Sequence, residues 1–205
     1  MDVFEVAPGL WRWTGFHPEW NEDVGCLYVE APDAVVLVDP LIPPEDAERF
    51  LRHLDADVAR SRRPLHIVVT IYWHTRSAAE LSARHGAAIW APYRSGLPVE
   101  RRTGLAVERV RPGDELPGGI EAHASGRAAE LVYYLPAHGA LIAGDVLLGG
   151  PLRVCPASWV GKGGREAVRD ALRPLLDLPI ERVLVSHGEP VLTDGKAALA
   201  KTLDF

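Results

Sequence analysis

Short apolar runs separated by turn residues open the chain. Runs at 10–14, 25–30 and 34–39, the last two split by Ala31-Pro32-Asp33, predict a meander of antiparallel strands. After Pro43-Pro44 the spacing changes. Ala47, Phe50, Leu51, Leu54 and Val58 line one face of a helix predicted over 45–60. A buried strand follows at 65–70, then a second helix from near Ser77, where Ser77-Ala78-Ala79-Glu80 has the form of a capping box and Gly86 can end the element. A strand-like piece at 87–90 closes a βαβ crossover, so the fold is mixed rather than all-β. The Arg-rich, aperiodic stretch 92–104 reads as a surface loop, too short to separate a pair of cores.

The second half repeats this plan. Strands are predicted at 105–110, 120–124, 131–135 and 140–144, a helix at 165–176, a strand at 182–186 and a closing helix from about 193. Two halves that each run from strands into helices predict two sheets face to face with helices outside, an αββα sandwich. An apolar content of 47% in 205 residues is enough to build the core of one domain, 1–205.

Charge and cysteine usage narrow the partners. The net charge of −6 comes from intermixed acidic and basic residues with no basic stripe, which excludes nucleic acid as the expected partner. No apolar run approaches the roughly 20 residues that cross a bilayer, and Met1-Asp2-Val3-Phe4-Glu5 lacks the basic start of a signal peptide. The expectation is a cytoplasmic protein with no membrane partner, acting on a small molecule; the sequence does not give its oligomeric state. Cys26 and Cys155 form no CxxC pair, so neither a disulfide framework nor a cysteine zinc site is expected, and both read as buried, unreactive thiols.

Three short motifs stand in order near strand ends: Leu37-Val38-Asp39-Pro40, Gly144-Asp145 and Ser186-His187-Gly188. With the Val-rich strand ending at Thr70, they make the chain resemble the metallo-β-lactamase superfamily over nearly its whole length. That resemblance implies the four-layer αββα fold and a metal-dependent hydrolase centre in which Asp145 is the bridging aspartate and His187 the last ligand. The departures are as specific. Laying the family's H-x-H-x-D-H on the residues after Thr70 puts Ile71, Trp73, Thr75 and Arg76 on the ligand positions, and none of the four is an ordinary zinc ligand. His74 falls on a variable position. Gly126 stands where the turn histidine of P-G-H-T belongs, with His123 three residues too early.

Two catalytic candidates, Asp145 and His187, therefore remain, too few for a metal pair. A buried Asp145 without cations needs a counter-charge. Arg76 and Arg127, beside the lost ligand positions, are the expected replacements, either one bidentate to Asp145. This predicts a metal-free or metal-poor pocket for an anionic or polar small molecule, or a pseudoenzyme kept for its fold. The alternative is a mononuclear metal-dependent hydrolase in which Asp145, His187 and His74 hold one weakly bound zinc, iron or manganese ion.

Trp73 reads as a pocket wall and Trp20 as a pocket residue, whereas Trp11 and Trp13, alternating on one strand, read as core. His17, His53, His66, His85 and His138 have no partner motif, and His123 leans the same way. Gly161-Lys162-Gly163-Gly164 lacks the spacing of a phosphate loop and reads as a flexible connection. There is no G-x-S-x-G elbow for a serine hydrolase and no G-x-G-x-x-G fingerprint for a dinucleotide.

Overall fold

The computed structural model describes residues 2–161 and 163–204; Lys162 of the glycine-rich connection lies outside them. Seven strands form the first sheet in sequence order: β1 (Val3–Ala7), β2 (Leu10–His17), β3 (Glu22–Glu30), β4 (Val35–Val38), β5 (Leu65–Val68), β6 (Ala88–Pro92) and β7 (Val107–Val110). β1 to β4 pair antiparallel, those of β2 to β4 as the turn-separated runs predict, and β4 to β7 pair parallel. Parallel neighbours need crossovers. These are α1 (Ala47–Ser61), α2 (Ala78–His85) and α3 (Tyr93–Thr103).

The second sheet contains β8 (Glu115–Leu116), β9 (Ile120–Ala124), β10 (Leu131–Leu135), β11 (Ala140–Ile142) and β14 (Arg182–Leu184), in spatial order β14-β11-β10-β9-β8. Between β11 and β14 the chain makes a small hairpin, β12 (Leu147–Leu148) with β13 (Arg153–Val154), and α4 (Gly164–Leu172). α5 (Gly195–Leu203) closes the chain.

Three apolar clusters define the layers. Leu10, Val29, Val36, Val68, Ile120, Tyr133 and Leu184 belong to one cluster drawn from both sheets, which is the core between them. Val35, Leu37, Ile67 and Ile89 share another with Leu54 of α1, Leu81 of α2 and Val99 of α3. Val132, Leu141 and Val183 pack with Val168 and Leu172 of α4 and Leu199 and Leu203 of α5. Helices thus cover both outer faces, giving the αββα sandwich.

Two local expectations are corrected. Residues 93–103 are helix α3 rather than a loop: Ser95, Gly96 and Val99 are buried, and Gly104 ends the helix at φ +71°. Its inward face is built of small residues, so apolar periodicity is weak there, and Pro98 lies inside the helix. The capping box at Ser77 does not form. Its Oγ instead accepts the Ile42 N–H at 2.9 Å, tying α2 to the loop after β4. Gly86 does end α2, at φ +66°, where lack of a Cβ removes the strain of the left-handed region. Cys26 and Cys155 are free and buried, and burial raises both thiols, Cys155 to about 11.

Candidate metal centre

The polar centre is assembled at carboxyl ends of strands. Asp39 directly follows β4, Thr70 and His74 follow β5, Asp145 follows β11 and His187 follows β14. β4 and β5 are parallel neighbours in one sheet, as are β11 and β14 in the other. Four strand ends therefore open toward one cleft. Among the described residues, two at this edge hold a positive φ without being glycine, Asp39 at +48° and Arg76 at +35°. Such conformations persist where surrounding structure enforces them.

His74 lies in a 3-10 turn, Tyr72–Thr75, and is fully buried. Its Nδ1 is 2.8 Å from Asp39 Oδ2 and 2.9 Å from Thr70 Oγ1. The Thr70 hydroxyl donates to the same Asp39 oxygen at 2.7 Å, and the Thr70 N–H donates to Asp39 Oδ1 at 2.8 Å. With the Thr70 proton committed to Asp39, the imidazole donates from Nδ1 to the carboxylate and presents Nε2 on its far side. That Nε2 faces Asp145 Oδ1 at 3.1 Å.

His187 approaches the same point from the other sheet. Its Nδ1 is 3.4 Å from Glu22 Oε2, and its Nε2 is 3.2 Å from the same Asp145 Oδ1. Two imidazoles, each with a carboxylate behind Nδ1, thus converge through Nε2 on one oxygen. For His74 this is the pattern by which a carboxylate orients a metal-bound histidine, whereas His187 Nδ1 is buried without a hydrogen bond. The second Asp145 oxygen is held separately: the Trp73 indole N–H donates to Oδ2 at 2.8 Å.

Titration follows from these neighbours. Burial would lower the pKa of His74, but Asp145 and Asp39 outweigh it and lift it to about 9. Burial would likewise raise Asp145, yet the two histidines hold it well below the usual carboxylate range. In the absence of a cation the centre retains a proton where positive charge is needed.

The donor set fits a divalent ion. One donor atom each from His74, Asp145 and His187 lies within 4.8 Å of the others. His74 Nε2 and Asp145 Oδ1 are buried, and neither makes a hydrogen bond of good geometry. An ion with bonds of about 2.1 Å in tetrahedral geometry separates its ligands by about 3.4 Å. The separations of 3.1 and 3.2 Å from Asp145 Oδ1 to the two Nε2 atoms match that spacing.

Neither arginine reaches Asp145, so the expected bidentate guanidinium is corrected. Arg76 donates through Nη1 to the backbone carbonyls of Asp39 at 2.7 Å and Gly25 at 3.0 Å, with its guanidinium 5.6 Å from the Trp20 ring centre. Arg127 pairs with Glu130 at 2.6 Å and lies over the Trp73 ring at 5.1 Å. The counter-charge beside Asp145 is His74, with His187 as its second neighbour.

Glu130 and Asp39 are the residues that motif reading undervalued. Glu130 is wholly buried, and its Oε1 accepts the N–H groups of Asp145 at 2.6 Å and Val146 at 3.2 Å. Burial, and next the charge of Asp145, raise it above the ordinary carboxylate range against the pull of Arg127. No local pattern marks Glu130. Asp39 carried the signal of its motif but, outside the family pattern, reads as a turn residue.

The other positions fall outside the centre. Ile71 is buried and bridges to Glu130, and Thr75 is buried. His123 lies 3.5 Å from Glu121 and is not part of the cluster. Gly126 sits at φ +82° against α4, where any side chain would run into the Ala167 carbonyl. A histidine cannot occupy this backbone. His17 stacks on Trp20 with ring centres 4.1 Å apart, His66 and His138 hydrogen-bond to Trp90 and the Pro8 carbonyl, and His85 lies 3.4 Å from Asp55.

Beside the centre lies a cavity of about 570 Å³ walled by Trp20, Trp73 and Trp159, with Glu22, Arg127 and Ser158 among its polar groups, and Asp145 and His187 at its floor. Trp20 and Trp73, expected at a pocket, both line this cavity. Trp11 and Trp13 line a different cavity.

No family model and no curated protein matches this sequence. Solved structures do. DIM-1 metallo-β-lactamase superposes with a TM-score of 0.78 at 15% identity, covering 99% of this chain and 95% of that one. A metallo-β-lactamase from Erythrobacter litoralis, with β-mercaptoethanol in its active site, gives 0.73 at 17% identity over 98% and 94%. One from Pontibacter korlensis gives 0.73 at 17% over 99% and 97%. At this identity the likeness establishes the fold: the chain has the metallo-β-lactamase fold, and at the strand ends that fold brings together it carries a histidine–aspartate–histidine cluster. Among the described residues no helix is long and apolar enough to cross a membrane.

Proposed function

We propose that this protein is a mononuclear metal-dependent hydrolase acting on a small molecule with an apolar or aromatic portion. The observation that carries the reading is the convergence of His74 Nε2 and His187 Nε2 on Asp145 Oδ1, with Asp39 holding His74 through Nδ1. When bound, a divalent ion such as zinc, iron or manganese supplies Lewis-acid activation of water or of a substrate carbonyl at this point. His74, Asp145 and His187 would hold that ion, with Asp145 and His187 also lining the cavity.

The chain's own residues do the remaining work. Asp39 fixes the tautomer of His74, and Trp73 holds the free oxygen of Asp145 so that the other faces the histidines. The three tryptophans exclude water from a bound apolar group. Glu22 stands at the cavity wall, 3.4 Å from His187 Nδ1, and adds negative charge beside that imidazole.

A second reading, a metal-free binding protein or pseudoenzyme, is favoured by one observation. A protonated His74 between Asp39 and Asp145 already satisfies both carboxylates. Metal analysis of untagged protein separates the two. One equivalent of a transition metal, abolished by Asp145→Ala together with hydrolysis of chromogenic esters and thioesters, supports the enzyme. Metal below a tenth of an equivalent after dialysis against zinc, iron and manganese in turn sinks it.

A further inference from the structure

Arg127 lines another cavity as well as the metal-side one. This cavity, of about 410 Å³, lies at the carboxyl ends of β6 and β7, parallel neighbours that stop at Pro92 and Val110, with the turn between β9 and β10 as its other wall. Crevices outside the carboxyl ends of parallel strands are where open sheets take ligands. The volume falls within the roughly 300–1,000 Å³ of small-molecule sites.

Its charge is one-sided. Arg94, Arg111 and Arg127 line it against a single carboxylate, Glu130, and that carboxylate is already paired with Arg127. Arg94 and Arg111 have no acidic partner among the described residues. The carboxylates nearby in sequence are used elsewhere: Asp114 accepts the backbone N–H of Arg111 at 2.7 Å, and Glu100 pairs with Arg109. Both Arg94 and Arg111 are exposed, so a ligand can reach them.

Local geometry adds to the charge. The Arg111 guanidinium lies 3.9 Å from the centre of the Tyr93 ring. Such stacking fixes the plane of a guanidinium and leaves its N–H edge free for an oxyanion. Tyr93 and Arg94 also open α3, whose start carries no side-chain cap. The unmade N–H groups of a helix start favour negative charge at the same place.

We propose that this cavity binds the doubly charged oxyanion of a small phosphate- or phosphonate-bearing molecule, gripped by Arg94 and Arg111 beside the start of α3. Two uncompensated guanidiniums match a dianion better than a single carboxylate, and each can bind phosphate through paired N–H bonds. The inference does not rest on the metal reading.

Phenylphosphonate is the probe, titrated by calorimetry against the full chain in mildly alkaline buffer, with benzenesulfonate as a match of the same shape and one charge fewer. One-to-one binding of phenylphosphonate is expected, tighter than that of benzenesulfonate. Arg94→Gln and Arg111→Gln should each weaken it roughly three- to tenfold, as for a charge-assisted hydrogen bond partly screened by water. Arg101→Gln removes the same charge from the last turn of the same helix and should leave the affinity as it was. Protein stripped of metal by a chelator should bind the probe as tightly as untreated protein, which separates this cavity from an ion at His74, Asp145 and His187. All three substituted side chains are exposed, and circular dichroism checks that each variant is folded. No binding, equal affinity for the sulfonate, wild-type affinity in both Arg94→Gln and Arg111→Gln, an equal loss in Arg101→Gln, or loss on chelation overturns the proposal.

Discussion

At one end of the cleft, His74, Asp145 and His187 turn their donor atoms toward a common point. At the other, Arg127 pairs with Glu130, Glu130 accepts two backbone N–H groups, and Trp73 donates to Asp145 Oδ2 beneath Arg127. Both ends are buried, polar and close together, and Asp145 belongs to both through its two oxygens and its N–H. The difference lies in what is left unmade. His74 Nε2 and Asp145 Oδ1 have no hydrogen bond, whereas Glu130 accepts from Arg127 and two backbone amides. On the proposed reading a cation would have a place at the first end and none at the second, so the proposal is for one ion rather than a pair.

The largest test of that contrast is removal of the shared imidazole. His74→Ala leaves Asp39 and Asp145 as buried carboxylates without their nearest cation, and losing one partner of such a pair typically destabilises by about 3–5 kcal/mol. Chemical denaturation should show that loss, and metal analysis should show no bound ion. Glu130→Ala should be comparably destabilising, because it strands Arg127 and two amide N–H groups, but it should retain one equivalent of metal. If Glu130→Ala also lost the ion, the two ends would be one functional unit and the comparison would fail.

Asp39→Asn probes the orientation of the first end alone. An amide in place of the carboxylate weakens its hold on Nδ1–H, and outer-shell changes of this kind typically lower metal affinity about 10- to 100-fold. Competition against a colorimetric chelator measures it. Unchanged affinity would mean that Asp39 does not set the tautomer.

Acidity should distinguish the metal-free from the loaded state. In the metal-free fold His74 keeps its proton to about pH 9, against 6.5 for an ordinary histidine. Its stabilisation is therefore complete below pH 6.5 and lost as pH rises through 9. Asp145, held low, contributes above the usual carboxylate range and loses its contribution only in acid. Melting temperatures of chelator-treated protein should fall between pH 6.5 and 9. Because bound metal displaces the proton, the loaded protein should hold its melting temperature over the same interval.

The elements that the sequence discloses are those whose burial is periodic. α1 shows its stripe of Phe50, Leu51, Leu54 and Val58, and β10 lies at 131–135 as its unbroken apolar run implies. α3 hides because its buried face is Ser95, Gly96 and Val99. β1 escapes because its residues are exposed or half-buried on a sheet edge. At the centre, Asp145 and His187 are legible from dipeptides at strand ends. His74 is less so, because a 3-10 turn after β5 turns in a residue that the family pattern leaves free. Arg127 and Glu130 show the opposite failure: the need for a counter-charge near Asp145 is readable from composition, but which pair forms is decided by a three-residue separation before β10.

The smallest change addresses the contact that joins the two ends. Trp73→Phe keeps an aromatic wall under Arg127 and deletes only the indole N–H that donates to Asp145 Oδ2. A hydrogen bond to a charged acceptor contributes about 1.5–3 kcal/mol, but Oδ2 borders the cavity and can recover water, so about 1 kcal/mol is expected. In a protein of this size that corresponds to roughly 2–4 °C in Tm. Metal stoichiometry should remain at one, since Oδ1 and both Nε2 atoms are untouched. Loss of the ion in Trp73→Phe would show that Asp145 depends on the indole to point its other oxygen at the histidines. The far end of the cleft would then belong to the metal site rather than adjoin it.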